Sequence, residues 1–299
     1  MRTLNLLKTI VLSLALLTAA FQPVSAQEQK GLLWEISGKN LSKPAYLFGT
    51  IHLYDTSSYE LPQAPFDMLD KVDKVYFELD FAKIDPSEMM AAMFIPDTTQ
   101  YINKLLDAAS LEKLRALSST SVTLNMLGDR LYAIKPVLLI ALIMGNDGKA
   151  ASVDLALYGA AGKKKLPTGG LETVKEEMDA INAISIPEQV KMLQQTLIRK
   201  QPPAALLKNM TAVYVKQDIE RLLTELNDES PLDVNFNEQL LVKRNIVMAA
   251  RIDSLLQHEH PLIAVGAGHL GNKTGLIMLL KEKGYTLKNI PFNIKKAHE

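Results

Sequence analysis

Apolar runs with the composition of buried strands stand near both ends of this 299-residue chain, and helical periodicity fills the distance between them. The strand-like segments are Leu32 to Ile36, Ala45 to Phe48, Lys74 to Phe77, Lys165 to Pro167, Leu262 to Val265 and Thr286 to Ile290. Short continuous apolar runs of this kind suit strands covered on both faces. Strands at the two ends of a chain can be buried together only by pairing across almost the whole sequence. Between them, Tyr101 to Leu117, Pro187 to Ile198, Pro203 to Leu226 and Asn237 to Gln257 carry apolar residues at three- and four-residue spacing, the period of an amphipathic helix. The expected fold is α/β: a mixed sheet formed from both termini and flanked by helices, with a mainly helical central insertion. Residues 27–84 and 236–299 supply the sheet core, about 85–235 form the insertion, and one core-like segment lies near 163–172. With no fixed-period repeat and no low-complexity linker, a single domain is expected.

Charge and targeting narrow the function classes. Thirty-three Lys and Arg balance thirty-three Asp and Glu, so no basic field is present to bind nucleic acid through counterion release. Arg2 and Lys8 precede an apolar stretch from Ile10 to Phe21, and Val24-Ser25-Ala26 has the small-x-small pattern of a signal-peptidase site. Cleavage after Ala26 is expected, with export to the periplasm and no stable membrane anchor afterwards, since a bilayer span needs roughly twenty apolar residues. The absence of cysteine excludes a lipidated amino-terminal Cys, a disulfide scaffold and any thiol nucleophile or thiolate ligand. Neutral net charge and an apolar insertion are compatible with a homodimer.

Two of the strand-like runs lead into one pattern, Gly49-Thr50-Ile51-His52 and Gly266-Ala267-Gly268-His269, which uses two of only five histidines. Glu78 follows directly on Lys74 to Phe77, and Glu172 follows Gly169-Gly170-Leu171. Open α/β sheets bind ligands beyond the carboxyl ends of their strands. If these strands run parallel, both histidines and both acids share one edge. Two imidazoles with one or two carboxylates form a ligand set that divalent metals accept, from zinc to manganese, cobalt or iron. The same set can perform acid/base chemistry without metal. Gly49, Gly266 and Gly268 remove side chains beside the site so that a ligand can approach the backbone. Free donors before the helical run Thr274 to Lys283 would suit an anion or oxyanion. With Thr50 and Asn245, these glycines form the candidate substrate-binding group.

Asn245 falls inside the apolar stripe Leu241, Met248, Ile252 and Leu255, with Arg244 at its border. A polar group there needs a partner. Arg244 either pairs structurally with a buried carboxylate or reaches the strand-end acids, orienting Glu78 or Glu172 or binding a substrate carboxylate. Other features read as structural: His258 and His260 in a polar turn, Lys163 to Lys165 as an exposed turn, and Met89, Met90 and Met93 as core or groove lining. Ser118 to Ser121 lacks a Gly-x-Ser-x-Gly elbow, and no phosphate-binding loop, dinucleotide fingerprint or His-Glu-x-x-His helix is present.

The ordered blocks Leu33-Trp34-Glu35-Ile36, Tyr46 to Leu53, Glu78-Leu79-Asp80, Gly170-Leu171-Glu172-Thr173, Arg244-Asn245, Val265 to Leu270, Gly275-Leu276 and Gly284-Tyr285 resemble the TraB/PrgY/GumN family. That family usually continues its second histidine block with Leu-Pro-Gly, whereas Leu270-Gly271-Asn272 stands here, a difference that bears on loop shape. The resemblance implies a fold shared with erythromycin esterase and ChaN-type proteins, and a metal-dependent protease activity like that of the Tiki-like members, supported by manganese or cobalt. It nominates His52, Glu78 and His269 first, then Glu172 and Arg244. The leading expectation is an exported metal-dependent hydrolase of a peptide or related acyl bond, with Glu78 or Glu172 taking a proton from water. The alternative is a periplasmic protein that binds heme or a peptide without turnover, heme requiring an axial His or Tyr in an apolar pocket.

Overall fold

The computed structural model describes residues 30–145, 150–222 and 234–297. The expected signal peptide and its cleavage point after Ala26 lie outside the described residues, as do residues 223–226 of one expected helix. The strands are β1 (Leu33–Gly38), β2 (Ala45–Thr50), β3 (Tyr54–Asp55), β4 (Val75–Leu79), β5 (Ala150–Ala151), β6 (Thr168–Glu172), β7 (Leu262–Gly266) and β8 (Tyr285–Asn289). Six of them form one mixed sheet in the order β6-β4-β7-β2-β1-β8, and β3 pairs with β5 separately. The two ends of the chain therefore meet in one sheet, with flanking helices and a mainly helical stretch inserted between.

Burial explains why these runs become central strands. All six residues of β2 and all five of β4 are buried, as covering on both faces requires. Four neighbouring strands run parallel, β2 with β7, β7 with β4 and β4 with β6. The register pairs Thr50 with Gly266 and Leu79 with Glu172, so four carboxyl ends finish at one edge. Antiparallel β1 and β8 close the other side. Leu47, Phe48, Val75, Phe77, Ile263 and Val265 share a core with Met248 and Ile252 of the helix Lys243–Leu255. The insertion has a second core of its own, in which Leu114, Leu124, Leu139, Ile143, Val190 and Leu193 meet.

Several elements differ from the sequence expectation, and the segment Tyr101 to Leu117 divides into the helices Ile102–Leu105 and Ala108–Thr120. β6 begins at Thr168 and not at Lys165, because the helix Val153–Lys163 is still ending there and Lys165 takes a left-handed φ of 57°. Strand propensity misses Gly169 and Gly170 because their neighbours require them to be bare. A side chain on Gly169 would meet the Tyr76 ring, and one on Gly170 would sit on the Asp80 amide. The expected helix from Pro203 stops at Val215, two residues before Gln217 adopts a φ of 57°. The helix that carries Arg244 opens with a π-helical turn, Glu238–Val242, a rare form frequent at functional sites. No helix among the described residues is long and apolar enough to cross a membrane.

Gly170→Ala tests the demand for a bare backbone beside β4. Overpacking against main-chain atoms should lower stability by about 1–3 kcal/mol, read as a lower urea midpoint. An unchanged midpoint would show that β4 and β6 tolerate a side chain there.

Candidate active site

His52 emerges two residues beyond the end of β2. Its Nδ1 lies 3.0 Å from Asp154 Oδ2. Asp154 is 3% exposed, sits in the first turn of the helix Val153–Lys163, and accepts the Thr50 hydroxyl at 2.5 Å through Oδ1. Ser152, the cap of that helix, donates to the same carboxylate at 3.3 Å. A carboxylate only accepts, so the imidazole proton sits on Nδ1 and Nε2 is turned toward Glu78, 4.0 Å from its Oε1.

His269 reaches the same carboxylate by another route. It closes the 3-10 turn Ala267–His269 after β7 and is 4% exposed. Asn245 Nδ2 donates to the Thr274 carbonyl at 2.9 Å, which orients the amide and leaves Oδ1 to accept from His269 Nδ1 at 2.7 Å. Nε2 of His269 then lies 3.6 Å from Glu78 Oε2. Both histidines thus have Nδ1 anchored and present Nε2 to one acid.

Glu78 on β4 is buried and accepts from the Gly266 amide at 2.6 Å and from Arg244 Nη2 at 2.6 Å. Burial alone would raise its pKa, but His269, Arg244 and His52 together hold it well below the usual carboxylate range. Arg244 also grips Glu172, through Nε at 3.2 and 3.0 Å and Nη2 at 2.7 Å, and donates from Nη1 to the Leu240 carbonyl of the π-helical turn at 3.3 Å. Arg244 therefore does both things considered for it: it pairs with a buried carboxylate and orients the strand-end acids. For His52, desolvation works against the charged ring, but the hydrogen bond and charge of Asp154, with Glu78 and Glu177, raise the pKa to about 9.

The fold brings His52, Glu78, Glu172, Arg244 and His269 into one cluster. Gly266 keeps its middle open: a Cβ there would lie 3.1 Å from Glu78 Oε1, 3.7 Å from His269 Cδ2 and 3.8 Å from His52 Nε2. Other expected substrate contacts are placed differently. Gly49 packs under the 3-10 turn, where a Cβ would come within 3.1 Å of Ala267 Cα and of Leu270 Cδ2. Thr50 and Asn245 are 1% and 2% exposed and spend their polar groups on Asp154, His269 and Thr274, so they support the rings. The Gly266 amide, expected to be a free donor, is taken by Glu78, and Gly268 lies within the turn. His260 bonds Ser42 Oγ at 3.2 Å.

Two participants are absent from the sequence expectation. Asp154 looks like any acid in a capped first turn, and only the tertiary fold turns it onto His52. Glu177 follows Glu176, which caps Thr173 and pairs with Arg251 at 2.5 Å. Burial and the charge of Glu78 raise the Glu177 pKa, with Arg244 and His52 opposing, so its carboxyl lies within electrostatic reach of the cluster.

The donor set suits a divalent cation, since an ion about 2.1 Å from each of two donors holds them no more than ~4.2 Å apart. Both imidazole–Glu78 separations fall within that limit. As the side chains stand, no three His, Asp or Glu groups among the described residues already form a metal-holding arrangement.

A mixed sheet whose parallel strands end in anchored imidazoles around an arginine-held glutamate defines an α/β protein with a polar centre at the sheet edge. The chain belongs to the TraB/PrgY/gumN family, whose model matches residues 32–289. It is similar to Metalloprotease TIKI2 of Xenopus tropicalis, at 27% identity over 90% of this chain and 61% of that protein. It is also similar to Metalloprotease TIKI2 of Danio rerio, at 24% over 90% and 63%, and to Metalloprotease TIKI1 of Homo sapiens, at 25% over 88% and 63%. The chain spans about three fifths of the length of the curated relatives it matches. No solved structure matches it.

Replacing Arg244 by Met leaves Glu78 and Glu172 buried and unpaired. The expected loss is about 3–5 kcal/mol of stability, measured by urea unfolding, and a loss below about 1 kcal/mol would place the pair in a solvent-like setting.

Proposed function

We propose that this protein is an exported metal-dependent hydrolase of peptide bonds, with His52, His269 and Glu78 as cation ligands. The observation that carries the proposal is the convergence of two Nε2 atoms, each with Nδ1 anchored, on one ionised carboxylate. The names of the relatives support it, since these are metalloproteases. Manganese, cobalt and zinc all accept this donor set. Export rests on Arg2, Lys8, the stretch Ile10 to Phe21 and Val24-Ser25-Ala26.

A divalent cation, when bound, supplies Lewis acidity for a carbonyl and lowers the pKa of water. The chain's own groups do the rest. Asp154 and Asn245 hold the two rings by Nδ1 and so keep Nε2 aimed inward. Arg244 keeps Glu78 ionised and fixed. Glu172 grips Arg244 through both carboxylate oxygens, which makes it a positioning residue. Glu177, with its pKa pushed up by burial and by Glu78, is better suited to take a proton and return it to a leaving amine. Heme fits less well, because the Nε2 atoms an iron would require face a carboxylate.

The test combines metal analysis with turnover. Mature protein purified without chelator should hold about one ion per chain and cleave members of a peptide library with manganese, cobalt or zinc added. His52→Ala with His269→Ala should abolish both. Asp154→Asn should fold normally and bind the ion about 10–100-fold more weakly, as read by titration calorimetry. Undiminished metal binding by the double alanine variant would contradict the assignment.

A further inference from the structure

A cavity of about 400 Å³ opens beside His52, and its walls are almost wholly apolar. That volume lies within the range of sites that enclose small organic groups. One wall is the helix Pro136–Met144, Pro-Val-Leu-Leu-Ile-Ala-Leu-Ile-Met, which has no polar side chain on any face. A helix apolar all round normally lies wholly inside a core. This one buries Pro136, Leu139 and Ile143, while Val137, Ile140, Ala141 and Met144 line the cavity and Ala141 is exposed. Met192 and Met210 of neighbouring helices add adaptable thioether side chains. Arg199 is the one charged side chain on the wall besides His52, and the uncharged polar groups bond within the protein: Thr196 donates to the Met192 carbonyl at 3.0 Å, and Asn209 to Gln201 at 3.4 Å.

His52 belongs to both places. Its ring lines the cavity, and its Nε2 faces Glu78. A group lodged in the cavity is therefore held next to the reacting centre, and the chemistry of the wall selects an apolar group.

We propose that this cavity is the specificity pocket of the site and receives the large apolar side chains next to the scissile bond of a peptide substrate. The proposal rests on the hydrolase function proposed above and adds what kind of peptide is taken. The methionines and the uncommitted helix face favour bulk and hydrophobicity over one defined shape.

The test uses the mature chain and two dansylated peptides, Phe-Leu-Gly-Gly and Asp-Asp-Gly-Gly, with fluorescence anisotropy for binding and a peptide library with manganese for cleavage. Two variants at an exposed position, Ala141→Trp to narrow the cavity and Ala141→Asp to charge it, should keep the wild-type unfolding midpoint. The wild type should bind the Phe-Leu peptide at least about tenfold tighter than the Asp-Asp peptide. Both variants should lose that advantage, and the library products should carry large apolar residues on one side of the cut, shifted to small residues in Ala141→Trp. Equal affinity for the two peptides, or wild-type discrimination by folded Ala141 variants, overturns the pocket. Cleavage without apolar preference likewise removes the pocket and leaves the hydrolase function standing. Discrimination through Ala141 with no cleavage under any metal supports the pocket and removes the hydrolase function.

Discussion

The fold depends on how one guanidinium settles two buried carboxylates. Parallel pairing of β4 with β6 sets Leu79 opposite Glu172, so the register itself drives Glu78 and Glu172 to the same edge of the sheet. Their side chains are 8% and 3% exposed, and two such charges repel strongly where water is scarce. Arg244, 10% exposed, donates to both. It comes from the helix Lys243–Leu255, which also contributes Met248 and Ile252 to the core. The ion pair and the apolar packing therefore place that helix together. Its next residue, Asn245, orients His269, so one helix position governs an acid and an imidazole at once.

The two histidines are supported unequally, and the difference follows from where their partners originate. Asp154 belongs to the inserted stretch and Asn245 to the carboxyl-terminal helix. A carboxylate partner makes an imidazole more basic. His52 accordingly has its pKa raised to about 9 and lies partly open to the apolar cavity, whereas His269 is enclosed. The insertion is thus part of the site as well as an addition to the sheet. It provides the anchor of one ring and the wall beside it.

Much of this was readable in the sequence, because burial on both faces leaves continuous apolar runs. The runs at Ala45, Lys74 and Leu262 locate three central strands, and the residues just past them are the ones that meet. The displaced start of β6 was not readable, since Gly169 and Gly170 are dictated by the Tyr76 ring and the Asp80 amide, which are contacts far along the chain. Asp154 was hidden for a similar reason: its local pattern is a capped helix turn, and its partner is about a hundred residues away. Thr50 and Asn245 adjoin site residues in the sequence, and the fold commits their polar groups to Asp154 and His269.

The most direct test of the central claim is an anomalous difference map from crystals of the mature protein soaked in manganese chloride. A single strong peak bonded to His52 Nε2, His269 Nε2 and a Glu78 oxygen, with Asp154 and Asn245 still on the two Nδ1 atoms, is the predicted result. A fully soaked crystal with no peak at that point, or with manganese held by other side chains, would contradict it.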